Sequence, residues 1–239
     1  MPRVSFVIPA HNEAVTLPGT LGAIRSVIDE LALDAEVIVA DDASSDTTGD
    51  IARAAGATTV RHEKRQISAT RNLGARAASG GLLFFVDADT LVNGDTVRES
   101  IDAIERGAIG GGAMVRFDGW VPFYVRVMLV PLVLFFRAAR LSGGAFFFCR
   151  ADAQRAVGGW DETVYAGEEI HLARALKRHG RFVVVPTVVV TSGRKARTHS
   201  AMELLLVLFK GALRGKRFTA DRANLDFWYG PRRKDPLGR

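Results

Sequence analysis

A chain of 239 residues with 48% hydrophobic and 24% charged side chains has an ordinary globular balance and enough apolar surface for one substantial core, so one domain is expected rather than two. The formal charge of +6 is placed at one end: residues 192–239 carry 12 Lys and Arg against 4 Asp and Glu, while the first 191 carry 20 against 22. A basic tail suits nucleic acid, anionic lipid, a phosphorylated substrate or plain solvation, and charge alone does not choose among them.

Met1-Pro2-Arg3 leads straight into a strand, Val4–Ile8, with no room for a signal peptide, so the chain is expected to be cytoplasmic. Next comes Pro9-Ala10-His11-Asn12-Glu13, where a dinucleotide-binding protein would carry G-x-G-x-x-G, and this weakens an oxidoreductase reading. An amphipathic helix is expected over 16–31, then a strand over 36–40 that ends in Asp41-Asp42-Ala43-Ser44-Ser45-Asp46. Ser45 reads as the cap of a helix stopping at Gly56, with Asp46 complementing its positive end. Asp41 and Asp42 are left over from that account. A carboxylate at the carboxyl end of a strand can accept hydrogen bonds from a base N–H or a ribose hydroxyl, which makes Asp42 a candidate nucleoside ligand.

A strand over 58–61 and a helix over 67–78, closed by Gly80-Gly81, lead to Leu82-Leu83-Phe84-Phe85-Val86. This last run is wholly apolar and therefore a buried strand, yet it delivers Asp87-Ala88-Asp89. Two carboxylates one residue apart are costly to hold together unless a cation neutralises them. Mg²⁺ or Mn²⁺ takes oxygen ligands, often one or two carboxylates completed by phosphate oxygens and water, so Asp87 and Asp89 are candidate metal ligands. Strands alternating with helices predict an α/β fold with a mostly parallel central sheet flanked by helices and ligands at the strands' carboxyl ends.

The second half is less regular, with strands expected near 112–117, 145–148 and 182–190, and helices over 123–141, 168–179 and 201–213. Its longest apolar run, Val127 to Phe136, is ten residues where a spanning helix needs roughly 20, so no transmembrane segment is expected. Val125, Leu129, Leu132, Val133 and Phe136 recur at helical spacing, and Leu204 to Phe209 is followed by Lys210, Arg214, Lys216 and Arg217. An interfacial contact with the inner face of a membrane fits such helices; burial or homodimer packing explains the same pattern. Cys149, the one cysteine, excludes an internal disulfide and reads as a small buried hydrophobe. Gly143-Gly144 can let the backbone pass close to a bound sugar or can serve tight strand entry. Trp160 is either an aromatic platform for a sugar ring or a core residue. Thr191 to His199 brings Arg194, Lys195 and Arg197 together, as a loop closing over a diphosphate or as a solvated basic loop. After Arg214 only Phe227-Trp228-Tyr229 suggests that the tail docks.

Val7 to Glu13, Asp41-Asp42, Arg71-Asn72, Asp87-Ala88-Asp89, Gly158-Gly159-Trp160-Asp161-Glu162 and Gly167-Glu168-Glu169, in this order over roughly 4–190, resemble glycosyltransferase family 2. The resemblance implies a GT-A fold and an inverting, single-displacement transfer from a nucleotide-activated sugar, UDP- or GDP-linked, to an acceptor hydroxyl. It places Pro9, Ala10, Glu13 and Asp42 around the nucleoside, Arg71 near the donor, and Asp87 and Asp89 at the ribose, the diphosphate and a Mn²⁺ or Mg²⁺ ion; Arg194, from the basic loop, is a further candidate donor contact. His199 stands as a late metal ligand, and Trp160 and Gly144 as acceptor contacts. Inversion needs one carboxylate to take the acceptor's proton. Glu168 and Glu169 stand where the family commonly has Glu-Asp, so either is the base, with Glu169 matching the usual Asp; complementing a helix N-terminus is the alternative for both.

The expected layout is a catalytic domain over 1–213, with a nucleotide-sugar half at 1–90 and an acceptor half at 91–213, then a basic tail at 214–239. A nucleotidyltransferase would show a glycine-rich basic loop after the first strand, which Pro9–Glu13 is not. A silent binding module would have no reason to keep Asp42, Asp87, Asp89, Glu168 and Glu169 together. No nucleic acid partner is expected.

Overall fold

The computed structural model describes residues 3–139, 141–230, 233, 235 and 236. The side chains of Leu129, Leu132, Val133, Phe136, Arg214, Lys216 and Trp228 lie outside the described residues. Eight strands form one sheet: β1 (Val4–Ala10), β2 (Ala35–Asp42), β3 (Thr58–His62), β4 (Leu82–Val86), β5 (Thr90–Leu91), β6 (Ala108–Phe117), β7 (Phe146–Arg150) and β8 (Arg181–Thr191). Their spatial order is β3-β2-β1-β4-β7-β6-β8-β5. The first four run parallel, β7 is antiparallel to both its neighbours, and β6 and β8 pair in parallel. The fold is therefore α/β with a mostly parallel sheet, as expected.

The helices are α1 (Leu17–Glu30), α2 (Thr48–Ala54), α3 (Ile67–Ala77), α4 (Gly94–Glu105), α5 (Phe123–Ala138), α6 (Ala151–Ala156), α7 (Glu168–Lys177), α8 (Arg194–Thr198), α9 (Ala201–Arg214), α10 (Lys216–Thr219) and α11 (Asp226–Tyr229). Strand side chains alternate between faces, so the central strands feed two cores. Phe6, Ile8, Phe84, Val86, Phe146 and Phe148 meet Leu17 and Ile24 of α1 and Val97 of α4 on one side. Val7, Phe85, Phe147 and Cys149 meet Trp160 and Leu172 and Leu176 of α7 on the other. Burial of each large side chain contributes about 1.5–3 kcal/mol before entropy, which fixes strands whose ends carry charge. On this second face α3 lies against β1 at Gly74, where a Cβ would stand 2.3 Å from Val7 Cγ1, so only glycine permits that approach.

Six elements were not expected from the sequence: β5, α4, α6, α8, α10 and α11. The helix expected to open at Ser45 opens at Thr48 instead, and Ser45 is not its cap. Asp46 Oδ1 takes the Thr48 N–H at 3.0 Å, while the Ser45 N–H goes to Asn12 Oδ1 at 2.7 Å. The chain after Arg214 packs back on the body: Phe218 and Leu225 are buried with Ala166, and Arg197, with a fully buried side chain, holds Asp235 at 2.6 Å.

Candidate active site

The carboxyl ends of β1, β2 and β4 open into a cleft of about 650 Å³. Pro9, Ala10, Glu13, Asp42, Asp87 and Asp89 line one side, Arg194, Lys195 and His199 another, and Lys210 of α9 with Phe227 and Tyr229 of α11 complete the wall. Among the residues proposed from sequence, Arg71, Gly144, Trp160, Glu168 and Glu169 lie outside that lining.

The loop after β1 is stitched to the loop after β2. Asn12 donates its N–H to Ser44 Oγ at 2.9 Å, and the Glu13 N–H goes to Thr48 Oγ1 at 2.8 Å. His11 Nδ1 meets the Asp42 carbonyl at 2.6 Å, so Nδ1 is the protonated nitrogen and Nε2 is left to accept from the Arg65 guanidinium and Asn12 Nδ2. Asp42 is 4% exposed. Its carboxylate accepts the Arg65 N–H and the Gln66 N–H, both at 2.7 Å, and the Thr70 hydroxyl at 2.9 Å. Asp42 is thus not left over from a capping role, because it holds the start of α3. Asn12, Ser44 and Thr48 were missed as site-builders, since a polar loop residue shows its crosslink only once the strands are adjacent.

The Asp87-Ala88-Asp89 turn is pinned from four sides. The Asp87 N–H donates to the Ala145 carbonyl at 3.1 Å and the Thr90 N–H to the Asp87 carbonyl at 3.0 Å. Thr20 of α1 donates its hydroxyl to the Ala88 carbonyl at 2.9 Å, and the Ser192 N–H reaches the Asp89 carbonyl at 3.1 Å. The short β5, paired at Thr90 with Thr191, clips this turn to the end of β8 and so brings Arg194 and Lys195 to the carboxylates. Burial, then the charges of Asp87 and Glu13, push Asp89 up to about 7, while Lys195 and Arg194 pull it back. Lys195, which the sequence showed only as part of a charge run, therefore acts on the acidic pair.

That raised carboxyl is the observation against which a divalent ion can be tested. A cation would offset the repulsion that holds Asp89 near neutrality. Among the described residues no group of three or more His, Cys, Asp or Glu is placed to share an ion. The pair thus fits an ion completed by phosphate oxygens and water, and not a cage made by protein alone. His199 lines the same cleft without forming such a group with the acidic pair; its Nδ1 donates to the Lys195 carbonyl at 3.0 Å and its ring centroid packs 4.7 Å from that of Phe227.

Behind Asp87 lies a buried charge relay. Arg71 is 1% exposed, and its guanidinium donates to Glu168 at 2.6 Å, Asp87 at 2.8 Å and the Gly144 carbonyl at 2.9 Å. It stacks 4.4 Å above the Trp160 ring. Arg71 is therefore corrected as a direct donor contact, because every face of its head group is covered. Burial works against its charge, but Asp87, Glu168 and Glu169 outweigh that and hold its pKa above the ordinary guanidinium value. Trp160 is corrected as an acceptor platform: at 2% exposure it sits between Phe85 and Phe147, at centroid distances of 5.0 and 5.2 Å.

Gly167, at a φ of 73°, turns the chain into α7 and sets Glu168 and Glu169 at its first positions. Glu168 points back to Arg71, and burial pushes its carboxyl up while the guanidinium opposes it. Glu169 keeps partial exposure and is pushed up to about 8, first by burial and then by Glu168. A Cβ at Gly144 would lie 3.8 Å from Glu169 Cδ, so the strand-entry glycine keeps space open beside this carboxyl.

Acidic residues gather where the parallel sheet opens, with cations facing them, at the edge where open α/β sheets place their ligands. The model of the family described as glycosyl transferase family 2 matches residues 5–153, and the chain belongs to that family. Among curated proteins it is 35% identical over 116 residues to validoxylamine A glucosyltransferase of Streptomyces hygroscopicus subsp. jinggangensis, covering 43% of this chain and 26% of that one. It is 31% identical over 128 residues to undecaprenyl-phosphate 4-deoxy-4-formamido-L-arabinose transferase of Aeromonas hydrophila, covering 49% and 39%. The chain thus spans well under half the length of either relative. Among solved structures, a Pyrobaculum calidifontis mannosyltransferase in complex with GDP-Man and Mn²⁺ superposes with a TM-score of 0.68 at 22% identity, covering 90% of this chain and 63% of that one. Glucosyl-3-phosphoglycerate synthase of Mycobacterium tuberculosis gives 0.60 at 22% identity, covering 96% and 80%. At such identities the likeness establishes the fold, which is GT-A.

Proposed function

We propose that the protein transfers a sugar from a nucleoside diphosphate sugar to an acceptor hydroxyl with inversion, assisted by Mn²⁺ or Mg²⁺. The observation that carries this reading is the pinned Asp87–Asp89 turn, whose Asp89 is pushed up to about 7 at the wall of the cleft. Pro9, Ala10 and Glu13 form the floor against the nucleoside. Asp42, held by the N–H groups of Arg65 and Gln66 and the Thr70 hydroxyl, gives that floor a fixed acidic corner. Asp87 and Asp89 would hold the ion, which when bound offsets charge on the diphosphate as the glycosidic bond breaks. Arg194 and Lys195 face the same leaving group and favour the same charge. Glu169 takes the proton of the acceptor hydroxyl as its oxygen forms the new bond to the anomeric carbon. The bond from that carbon to phosphate breaks on the opposite side, and the nucleoside diphosphate leaves.

Glu169 is assigned as the base over Glu168 because Glu168 is buried and committed to Arg71 at 2.6 Å, whereas Glu169 keeps partial exposure. Arg71 then serves as a positioning residue between the ion-binding carboxylate and the base's neighbour. The test is a thermal-shift screen across nucleotide sugars with and without Mn²⁺, followed by assay of released nucleoside diphosphate. Metal-dependent stabilisation by one donor class, with nucleoside diphosphate as product, is the expected result. Pyrophosphate released from a nucleoside triphosphate and a sugar phosphate would instead establish a nucleotidyltransferase, and no response to any donor would establish a binding module without turnover.

A further inference from the structure

Two helices carry apolar side chains that no core receives. On α5, Phe123, Val127, Val130 and Leu134 are 80%, 54%, 58% and 61% exposed, at i, i+4, i+7 and i+11, so they form one stripe. On α9, Met202, Leu205 and Phe209 are 65%, 49% and 62% exposed along a second. The two helices start from one corner, because the Tyr124 hydroxyl donates at 2.8 Å to the carbonyl of His199, just before the Ser200 cap of α9. Scattered apolar residues on a surface need no explanation, but two helical stripes from adjoining starts do.

Charge selects the occupant. From Asp118 to the end of α5 the sequence has no further acidic residue and carries Arg126 and Arg137, with Arg140 following; Arg150 beyond them is paired with Asp152. From 201 to 220 the one acid, Glu203, is paired with Arg233 at 2.6 Å, against Lys210, Arg214, Lys216 and Arg217. A second copy docking through this face would set cations against cations, whereas an anionic surface meets them with opposite charge. Among the described residues no helix is long and apolar enough to cross a membrane. The 16 residues of α5, at about 1.5 Å each, fall short of a hydrocarbon core of about 30 Å.

We infer that α5 and α9 lie on the surface of an anionic phospholipid bilayer, with Phe123, Val127, Val130, Leu134, Met202 and Phe209 inserted among the headgroups. The other edge of α9 carries Leu206, Val207 and Lys210 into the cleft wall, so the cleft opens beside the bilayer. Resting on the transfer reading above, this makes the acceptor an amphiphile held in that leaflet, whose apolar part follows Leu206 and Val207.

Flotation of the full chain with phosphatidylcholine–phosphatidylglycerol vesicles, at roughly two to one, tests the docking against phosphatidylcholine alone. The wild type should float with the anionic vesicles and be released by high salt. Phe123→Glu and Phe209→Glu should each weaken binding by about tenfold or more. Both residues are exposed and neither lines the cleft, so donor-induced thermal shift should be unchanged and reports folding. Equal flotation with neutral vesicles, undiminished flotation of both variants, or a dimer in solution that Phe209→Glu dissociates would overturn the inference. Failure of donor binding with flotation intact would instead sink the transfer reading and leave the docking standing.

Discussion

Replacing Arg71 by Met tests whether one guanidinium keeps two carboxylates together behind the cleft. Methionine fills much of the space above Trp160 but donates nothing, so Glu168, whose side chain is 6% exposed, keeps the upward push of burial and loses the charge that opposes it. The variant can fold by leaving Glu168 protonated. Holding that proton at pH 7 costs about 1.36 kcal/mol per pH unit above the ordinary Glu value of about 4.3, hence about 4 kcal/mol, and at pH 5 about 1 kcal/mol. Because the folded pKa in the variant is raised above the unfolded one, the lost stability is regained as pH falls towards the unfolded value and deepens as pH rises. Asp87, with a side chain 30% exposed, adds less because water reaches it. Urea unfolding at both pH values should show Arg71→Met less stable at pH 7 by at most about 4 kcal/mol, since burial already raises the Glu168 carboxyl in the wild type, and closer to wild type at pH 5, with Arg71→Met/Glu168→Gln recovering most of the loss. An equal cost at both pH values, or no rescue by the second substitution, refutes the reasoning.

Glu169→Gln should leave donor affinity nearly intact and slow transfer by about 10²–10⁴-fold in a nucleoside diphosphate release assay. Activity retained in Glu169→Gln and lost in Glu168→Gln would reverse the assignment of the base. Asp89→Ala should abolish the Mn²⁺-dependent part of donor binding by calorimetry. In the wild type that binding should tighten as pH rises through about 7, since the ion requires the carboxylate that burial and Asp87 hold protonated below it. Trp160→Phe should cost about 1–3 kcal/mol in urea unfolding through lost packing and lost stacking with Arg71, with donor affinity within about twofold of wild type. A selective loss of acceptor use at unchanged stability would return Trp160 to the acceptor site.

The first half was legible because each strand there is a short apolar run closed by residues of another kind. Leu82 to Val86 could be placed as a buried strand, and Asp87 and Asp89 at its end, from the abrupt change of chemistry alone. The residues read incompletely have further roles set by partners far along the chain. Asp42 reads as a free ligand until α3 arrives with the N–H groups of Arg65 and Gln66. Arg71 and Trp160 sit in motifs that suggest ligand contact, but the inward faces of α3 and the loop after α6 turn them onto each other. The two residues of β5 carry no periodicity, yet their pairing with β8 is what brings Lys195 within the field of Asp89.

The relay through Arg71 also gives the two halves of the site a reason to act in order. Asp87 is among the charges that raise the Glu169 carboxyl to about 8, after burial and Glu168, and it shares Arg71 with Glu168. When a divalent ion beside the diphosphate offsets the charge of Asp87, that part of the upward push weakens, and Glu169 ionises more readily. The base is then readier with donor bound than without it, which protects the sites from idle proton transfer and favours donor before acceptor. The pH dependence of kcat, which reports the loaded complex, should therefore have its ascending limb at lower pH than that of kcat/KM for the first substrate, which reports the free enzyme. Measured with Glu168 intact, limbs that coincide, or a loaded limb at higher pH, would mean that Glu169 does not sense the acidic pair and that Arg71 insulates the two carboxylate groups instead of linking them.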